Sequence, residues 1–339
     1  MRENGPSRPT MKDVADHLGV SRQLVSLVLR DLPGASDETR RRVRAAAEEL
    51  GYHPDASARL LRGRRSFRLG VLFTMHEPFE VDLVEALLAD AADRGYSLVL
   101  GPLGPGRTQQ GVIADLLGQR IEGLVVLAAE GGSATLAGLP AQVPVVQLGG
   151  PRSTDPVDDV RVDSACGIRL LVEHLVELGH ERIAYVTGGD GPNAAERRDA
   201  YAAEMRGRGL VPDVVDGAFT EQGGADAAGI LLTRGALPTA VMAANDRAAA
   251  GMLSTLVRRG VRVPEDVSVA GFDDSSVAAL PYIDLTTVRH EPRALAAQAL
   301  DAVLRRIDEP DAPVVTDRDV PELIVRSSSG PRRPDVTRC

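Results

Sequence analysis

A chain of 339 residues exceeds the roughly 100 to 200 residues of one ordinary domain, so two or three compact units are expected. Its 43% hydrophobic and 26% charged residues have the balance of a soluble globular protein, which excludes an extended disordered polymer. Two cysteines, Cys166 and Cys339, are too few for a disulfide framework; no segment reaches the roughly 18 apolar residues of a membrane span, and Met1 to Thr10 has no apolar run of a secretory signal, so a cytoplasmic protein is expected. The formal net charge of -9 is unevenly spread: residues 1–65 hold 13 Arg and Lys against 9 Asp and Glu, and the remainder holds 26 against 39. A basic head therefore precedes an acidic body, and only the head suits a nucleic-acid partner.

Thr10 can cap a helix over Met11–Leu18, in which Met11, Val14, Ala15 and Leu18 recur on one face before Gly19 stops it. Ser21 can cap a second helix, Arg22–Arg30. A third is expected from Ser36, with Asp37 and Glu38 set against the helix dipole, Val43, Ala46, Ala47 and Leu50 turned inward, and Gly51 at its end. Asp55–Leu61 has modest helical signals, and Arg62, Gly63, Arg64 and Arg65 continue as a basic linker.

From Phe67 onward the pattern becomes strand–helix alternation. Strands are expected at Arg68–Phe73, Ser97–Leu100, Gly123–Ala128, Val143–Leu148, Ile183–Thr187, Ala240–Ala243 and Val267–Phe272, and helices at Val81–Arg94, Ile168–Leu178, Glu196–Arg208 and Arg247–Arg259. Short, continuously apolar strands belong to parallel sheets covered by helices on both faces, and roughly 260 residues suffice for two lobes.

The first two helices have the spacing of a helix-turn-helix, whose second helix lies in the DNA major groove. Val25, Val28 and Leu29 would face the core, leaving Arg22, Gln23, Ser26 and Arg30 for base edges and phosphates. An ordinary helical hairpin has the same spacing; the basic head favours DNA. In a bilobed α/β core, ligands sit beyond the strand C-termini, which points to Asn245 and Asp246 after AVMAA and to Asp273 and Asp274 after SVAGF. Either pair could instead cap the next helix, and for a lone Asp at such a place capping is the commoner explanation.

The stretches VADHLGVSRQLVSLVLRD and SDETRRRVRAAAEELGYHPDASARLLRGRRS resemble the head and hinge of the LacI/GalR repressor family. The resemblance continues through VEHLVELGHERIAYVTGG, PTAVMAANDRAAAGM, VPEDVSVAGFDDSSVAAL and LTTVRH, and so spans Thr10 to about Val325. It implies a three-helix helix-turn-helix head over 10–54 and a hinge helix and linker over 55–66. A bilobed periplasmic-binding-protein-like core would follow over 67–330, with two doubly wound parallel-sheet subdomains (about 67–163 with 292–327, and about 164–291) and a tail over 331–339.

By the same resemblance Ser21, Arg22, Gln23 and Ser26 contact DNA, while Leu27 and Arg30 stand where many members have arginine and asparagine. Leucine can offer a base only apolar contact, such as to a thymine methyl, so the operator is expected to be unusual. Leu61 matches the hinge leucine that wedges into the central minor groove, with Arg59, Arg62, Arg64 and Arg65 near the phosphates and Leu60 as interdomain packing. Asn245 and Asp273 match effector-contacting positions, Arg197 the arginine that grips a ligand hydroxyl or carboxylate, and His290 a position where the family often has glutamine. Phe79 lies where a family aromatic often stacks on the ligand, although core packing would also explain it. Asp163 and Ser164 are read first as a structural cap of the following helix.

The partners implied are near-palindromic double-stranded operator DNA, a second copy of the chain in a homodimer, and a small sugar-like effector that controls operator affinity allosterically. Most relatives are repressors; whether the effector induces or corepresses stays open. No cofactor, metal or membrane partner is expected. Catalytic residues are not expected either: there is no Walker A run or zinc-spaced histidine pair, the glycines of GPLGPG at 101–106 lack the dinucleotide order, and no G-x-S-x-G elbow occurs. A solute-binding protein without a DNA role and an enzyme on a related scaffold are the alternatives. The lack of a secretory signal weighs against the first, and the lack of a convergent nucleophile and base against the second.

Overall fold

The computed structural model describes residues 9–29, 32–52, 65–127, 136, 138–139, 141–150, 157–191 and 193–333. The chain divides into two compact units, Met1–Ser66 and Phe67–Cys339.

The first unit holds α1 (Met11–Leu18), α2 (Arg22–Leu29) and α3 (Asp37–Glu49). Each start has a local cause. Thr10 and Asp13 form a reciprocal capping box, the Asp13 amide donating to Thr10 Oγ1 at 3.4 Å and the Thr10 amide to Asp13 Oδ2 at 2.6 Å. Ser21 Oγ accepts from the Leu24 amide at 3.2 Å, and Ser36 Oγ from the Thr39 amide at 3.3 Å. Gly19, at φ +65°, supplies the left-handed residue that ends α1. Val14, Ala15, Val25, Val28, Val43, Ala46, Ala47 and Tyr52 close one small core. The expected hinge helix, at 55–61, and its basic strip as far as Arg64 lie outside the described residues.

The second unit is bilobed. In the first lobe β1 (Arg68–Thr74), β2 (Ser97–Leu103), β3 (Gly123–Leu127), β4 (Val145–Leu148), β5 (Asp158–Val162) and β11 (Thr316–Asp319) make one parallel sheet, ordered β11-β5-β4-β3-β1-β2. One face is covered by α4 (Pro78–Asp93) and α10 (Pro292–Asp308), through Leu83, Leu87, Leu295, Ala299 and Val303. The other is covered by α5 (Gln109–Gly118), through Val112, Ile113 and Leu116. In the second lobe β6 (Ile183–Val186), β7 (Asp213–Val215), β8 (Ala240–Ala243) and β9 (Ser268–Ala270) are parallel in the order β7-β6-β8-β9. Here α6 (Ser164–Glu177) and α7 (Ala194–Gly207) pack on one face, and α8 (Glu221–Thr233) and α9 (Asp246–Arg258) on the other. Doubly covered sheets explain the uninterrupted apolar strands.

The structure departs from the sequence reading in places. α4 begins at Pro78 rather than Val81, because proline suits the first helical turn. β2 runs through Gly101 to Leu103 instead of ending at Leu100; a Cβ on Gly101 would lie 2.7 Å from Leu116 Cδ1, so the glycine admits α5 close to the strand. The chain also crosses between lobes three times: from β5 into α6, from β10 (Thr287–Arg289) into α10, and from β11 into β12 (Glu322–Ile324), which pairs antiparallel with β10. Residues 322–324 pair with β10, and the Arg326 and Ser327 amides donate to Thr286 Oγ1 and Asp284 Oδ2, so this stretch lies with the second lobe, not the first as expected. The chain remains docked there beyond 330, where the Arg332 amide donates to the Leu178 carbonyl at 2.9 Å.

α8 and α9 meet backbone to backbone. A Cβ on Gly251 would lie 1.9 Å from the Glu221 carbonyl oxygen, and one on Gly224 1.8 Å from that of Ala248. Replacing Gly251 with alanine is expected to force the helices apart and destabilise the core by about 3 kcal/mol. Gly229→Ala, on the same pair of helices but with nothing within 4 Å of the new methyl, should be neutral or stabilise by about 0.5–1 kcal/mol. Thermal unfolding of the full chain checks the contrast, and equal effects of the two substitutions would remove the close-contact explanation.

Candidate functional site

On the head, α2 exposes Arg22 and Gln23 to solvent, with Ser26 half-buried. Neither Arg22 nor Gln23 has a hydrogen-bond or ion-pair partner among the described residues. Ser21 is exposed but already spends its hydroxyl as the cap of α2. Leu27 packs back on the head core, its Cδ1 3.2 Å from where a Cβ on Gly34 would stand. Gly34 adopts φ +120°, a conformation for glycine, and so leaves room for the leucine. The apolar surface expected to meet a thymine methyl is thus committed largely to the turn after α2. Arg30, Leu61 and Arg62 lie outside the described residues.

The core site is built around Arg197, in the first turn of α7. Its buried guanidinium donates through Nη1 to the Ala244 carbonyl at 2.6 Å and through Nη2 to Asp273 Oδ1 at 3.1 Å. The guanidinium carbon also lies 3.7 Å from the centroid of the Phe272 ring. Ala244 follows β8, and Phe272 and Asp273 follow β9, so one side chain ties two strand ends together. Asp273 holds φ +109°, strained for a residue with a Cβ, while its amide donates to the Val288 carbonyl at 2.8 Å.

His290 is buried between two rings, its centroid 5.1 Å from Phe272 and 5.8 Å from Phe79, which comes from α4 of the first lobe. Burial, reinforced by the charge of Arg197, holds its pKa well below the usual imidazole range, so the ring is neutral. Among the described residues neither ring nitrogen has a partner, and Nε of Arg197 and the hydroxyl of buried Tyr185 lack one as well. Phe79, His290, Arg197 and Asp273 are therefore brought together. Asn245 joins them less directly: its Oδ1 caps α9 by accepting from the Ala248 amide at 2.9 Å, and its Nδ2 donates to the Phe219 carbonyl at 3.3 Å.

The neighbouring acids are structural. Asp246 accepts from the Ser275 amide at 2.7 Å, the Ser275 hydroxyl at 3.0 Å and the Thr287 hydroxyl at 2.6 Å. Asp274 pairs with Arg289 at 2.7 Å and Arg326 at 2.6 Å. Burial pushes the carboxyls of Asp246 and Asp273 above the ordinary carboxylate range, and Arg197 works against the rise at Asp273. Asp163 caps α6 by accepting from the Cys166 amide at 2.9 Å.

Phe219 is the residue the sequence reading missed. Its ring lies 5.8 Å from the Arg197 guanidinium carbon and fills the space left by Gly188 and Gly191, where added Cβ atoms would sit 2.4 and 2.5 Å from ring carbons. Those paired glycines were the available signal. Among the described residues no group of His, Cys, Asp and Glu is placed to hold a metal ion, and no helix is long and apolar enough to cross a membrane.

This head and bilobed core have counterparts among known proteins. Residues 10–55 match the bacterial regulatory proteins of the lacI family, and residues 172–329 match the periplasmic binding protein-like domain. The chain is 34% identical over 309 residues to the ribose operon repressor of Escherichia coli K12, covering 89% of this chain and 94% of that one. It belongs to the lacI family. This lacI-family chain also superposes on the lac repressor dimer bound to operator and the anti-inducer ONPF, with a TM-score of 0.79 at 27% identity over 96% of this chain and 100% of the other. The transcriptional regulator CelR in complex with cellobiose gives a TM-score of 0.71 at 30% identity, over 95% and 100%. As a lacI-family protein it is a DNA-binding transcriptional repressor under the control of a small-molecule effector.

For this lacI-family head, Leu27→Ala is expected to cost about 1–2 kcal/mol of stability, in keeping with a half-buried leucine. It should leave the base preference recovered from randomised operator half-sites unchanged, whereas Arg22→Ala should alter it. A new base preference in the Leu27 variant would return that side chain to the DNA.

Proposed function

We propose that the repressor binds a near-palindromic operator as a homodimer and that its effector is a neutral, sugar-like molecule held by Phe79, Arg197, Asn245, Asp273 and His290. One observation carries the effector reading: among the described residues, buried polar atoms of Arg197 and His290 stand without partners, Arg197 against the ring of Phe272 and His290 against those of Phe272 and Phe79. Such a lining suits a ligand that alternates hydroxyl groups with apolar C–H faces. Arg197 already has Asp273 as its counter-charge, so the site does not call for an anionic ligand. The ribose and cellobiose in the names of its relatives support the same class. On the head, Ser21, Arg22, Gln23 and Ser26, together with Arg30, Leu61 and Arg62, are the proposed DNA contacts. The site suits recognition: its imidazole faces two aromatic rings, which pack against it without exchanging protons.

The effector acts through differential affinity. A sugar that binds one arrangement of the lobes better shifts operator binding only as far as that preference allows. Either sign of response is compatible with this geometry.

An operator recovered from randomised DNA, followed by mobility shift at two salt concentrations with a panel of ribose, cellobiose and other neutral sugars, tests the reading. A discrete, salt-sensitive complex is expected to survive competitor DNA and to be weakened or strengthened by one sugar. Asp273→Asn should retain the DNA complex but need at least tenfold more of that sugar for the same response. An undiminished response in this variant would refute the assignment of the cleft.

A further inference from the structure

Arg247 lies in the first turn of α9, two residues after Asn245, and reaches in two directions. Within its own lobe it makes a two-pronged pair with Glu221 at the start of α8, Nε to Oε1 at 3.0 Å and Nη2 to Oε2 at 2.5 Å. Toward the other lobe, Nη1 donates to the His76 carbonyl at 2.7 Å and to Glu77 Oε1 at 2.8 Å. His76 and Glu77 form the turn between β1 and α4, two residues before Phe79.

We propose that Arg247 is a clasp that holds the two lobes in their closed arrangement across the edge of the cleft. The two halves of its bonding differ in kind. The pair with Glu221 joins groups of one lobe, and the contact of α8 with α9 at Gly251 brings those helix starts together whatever the lobes do. The guanidinium is therefore already aimed before the lobes meet. The bonds to His76 and Glu77 exist only when the lobes are together, so they stabilise one arrangement and not the other. Only 14% of the Arg247 side chain and 28% of that of Glu77 are exposed, so the pair is less screened than an ordinary surface bridge. Burial at this junction pushes the Glu77 carboxyl up to about 7 against the pull of Arg247, with Asp273 and Glu221 adding to the rise. The contact is thus balanced between attraction and lost hydration, as a reversible clasp requires.

The inference goes beyond the effector assignment, and its test uses no effector. Spin labels on Gln119→Cys in the first lobe and Val211→Cys in the second, with Cys166→Ser and Cys339→Ser to remove the native thiols, report the interlobe distance in the full chain diluted with unlabelled protein. Glu77→Gln and Arg247→Gln are each expected to move at least half of the molecules to a longer distance, and the double variant no further than either single one. Glu77→Gln leaves the second lobe intact, so unfolding around α9 would not mimic its effect. An unchanged distance distribution in Glu77→Gln, or additive shifts in the double variant, would overturn the clasp. Should Glu77→Gln open the lobes while no sugar alters operator binding, the clasp stands and the sugar reading falls.

Discussion

A guanidinium removed from water must find both its counter-charge and its hydrogen bonds inside the protein, and Arg197 does so by gathering the ends of two strands. Ala244 offers a carbonyl after β8, Asp273 a carboxylate after β9, and Phe272 the face of its ring. The strained backbone at Asp273 persists because these bonds and its amide contact to Val288 hold it in place. What they leave over is as informative. Among the described residues Nε of Arg197 and both nitrogens of His290 are buried without partners, so this cluster is held in place by its own bonds yet still has hydrogen-bonding capacity to offer.

The head was legible because its signals are local. Thr10, Ser21 and Ser36 each cap within three residues of themselves, and Gly19 ends α1 where a left-handed residue is needed. The core was legible wherever apolar runs coincide with strands, as at β6 and β8. It was opaque where tertiary contacts override local preference. The three glycines of α8 have the composition of a loop, yet Gly224 is there because a helix passes within van der Waals contact. β5 carries Asp158 among its valines, because Asp158 accepts from Arg306 on α10 at 2.8 Å and from the Val315 amide at 2.8 Å, partners 148 and 157 residues away. At the cleft, Arg197, Asp273 and His290 could be carried over from a resemblance. Phe219 lay between two elements that were not predicted, and the role of Leu27 depended on the conformation of Gly34, which the sequence does not state.

Charge divides the labour between the two units. The excess of basic residues lies in the first 65, and the acidic excess lies in the rest. Phosphates attract the first and are repelled by the second, so nonspecific attraction to DNA is confined to the segment that carries the reading helix. Within the core the same economy of charge recurs on a smaller scale: Arg197 with Asp273, Arg306 with Asp158 and Arg247 with Glu221 and Glu77 each neutralise a cation close to where it is buried.

The three crossings between the lobes have a mechanical consequence. Two bodies joined by a single strand of chain can tilt and swivel in many directions, whereas three side-by-side connections leave little freedom except bending about the line they define. The direction open to the lobes is therefore set by the covalent connectivity and not by the side chains that lie between them. Side-chain lining and direction of bending are thus separable properties of this core: the residues between the lobes can change while the line about which they bend stays where the chain crosses.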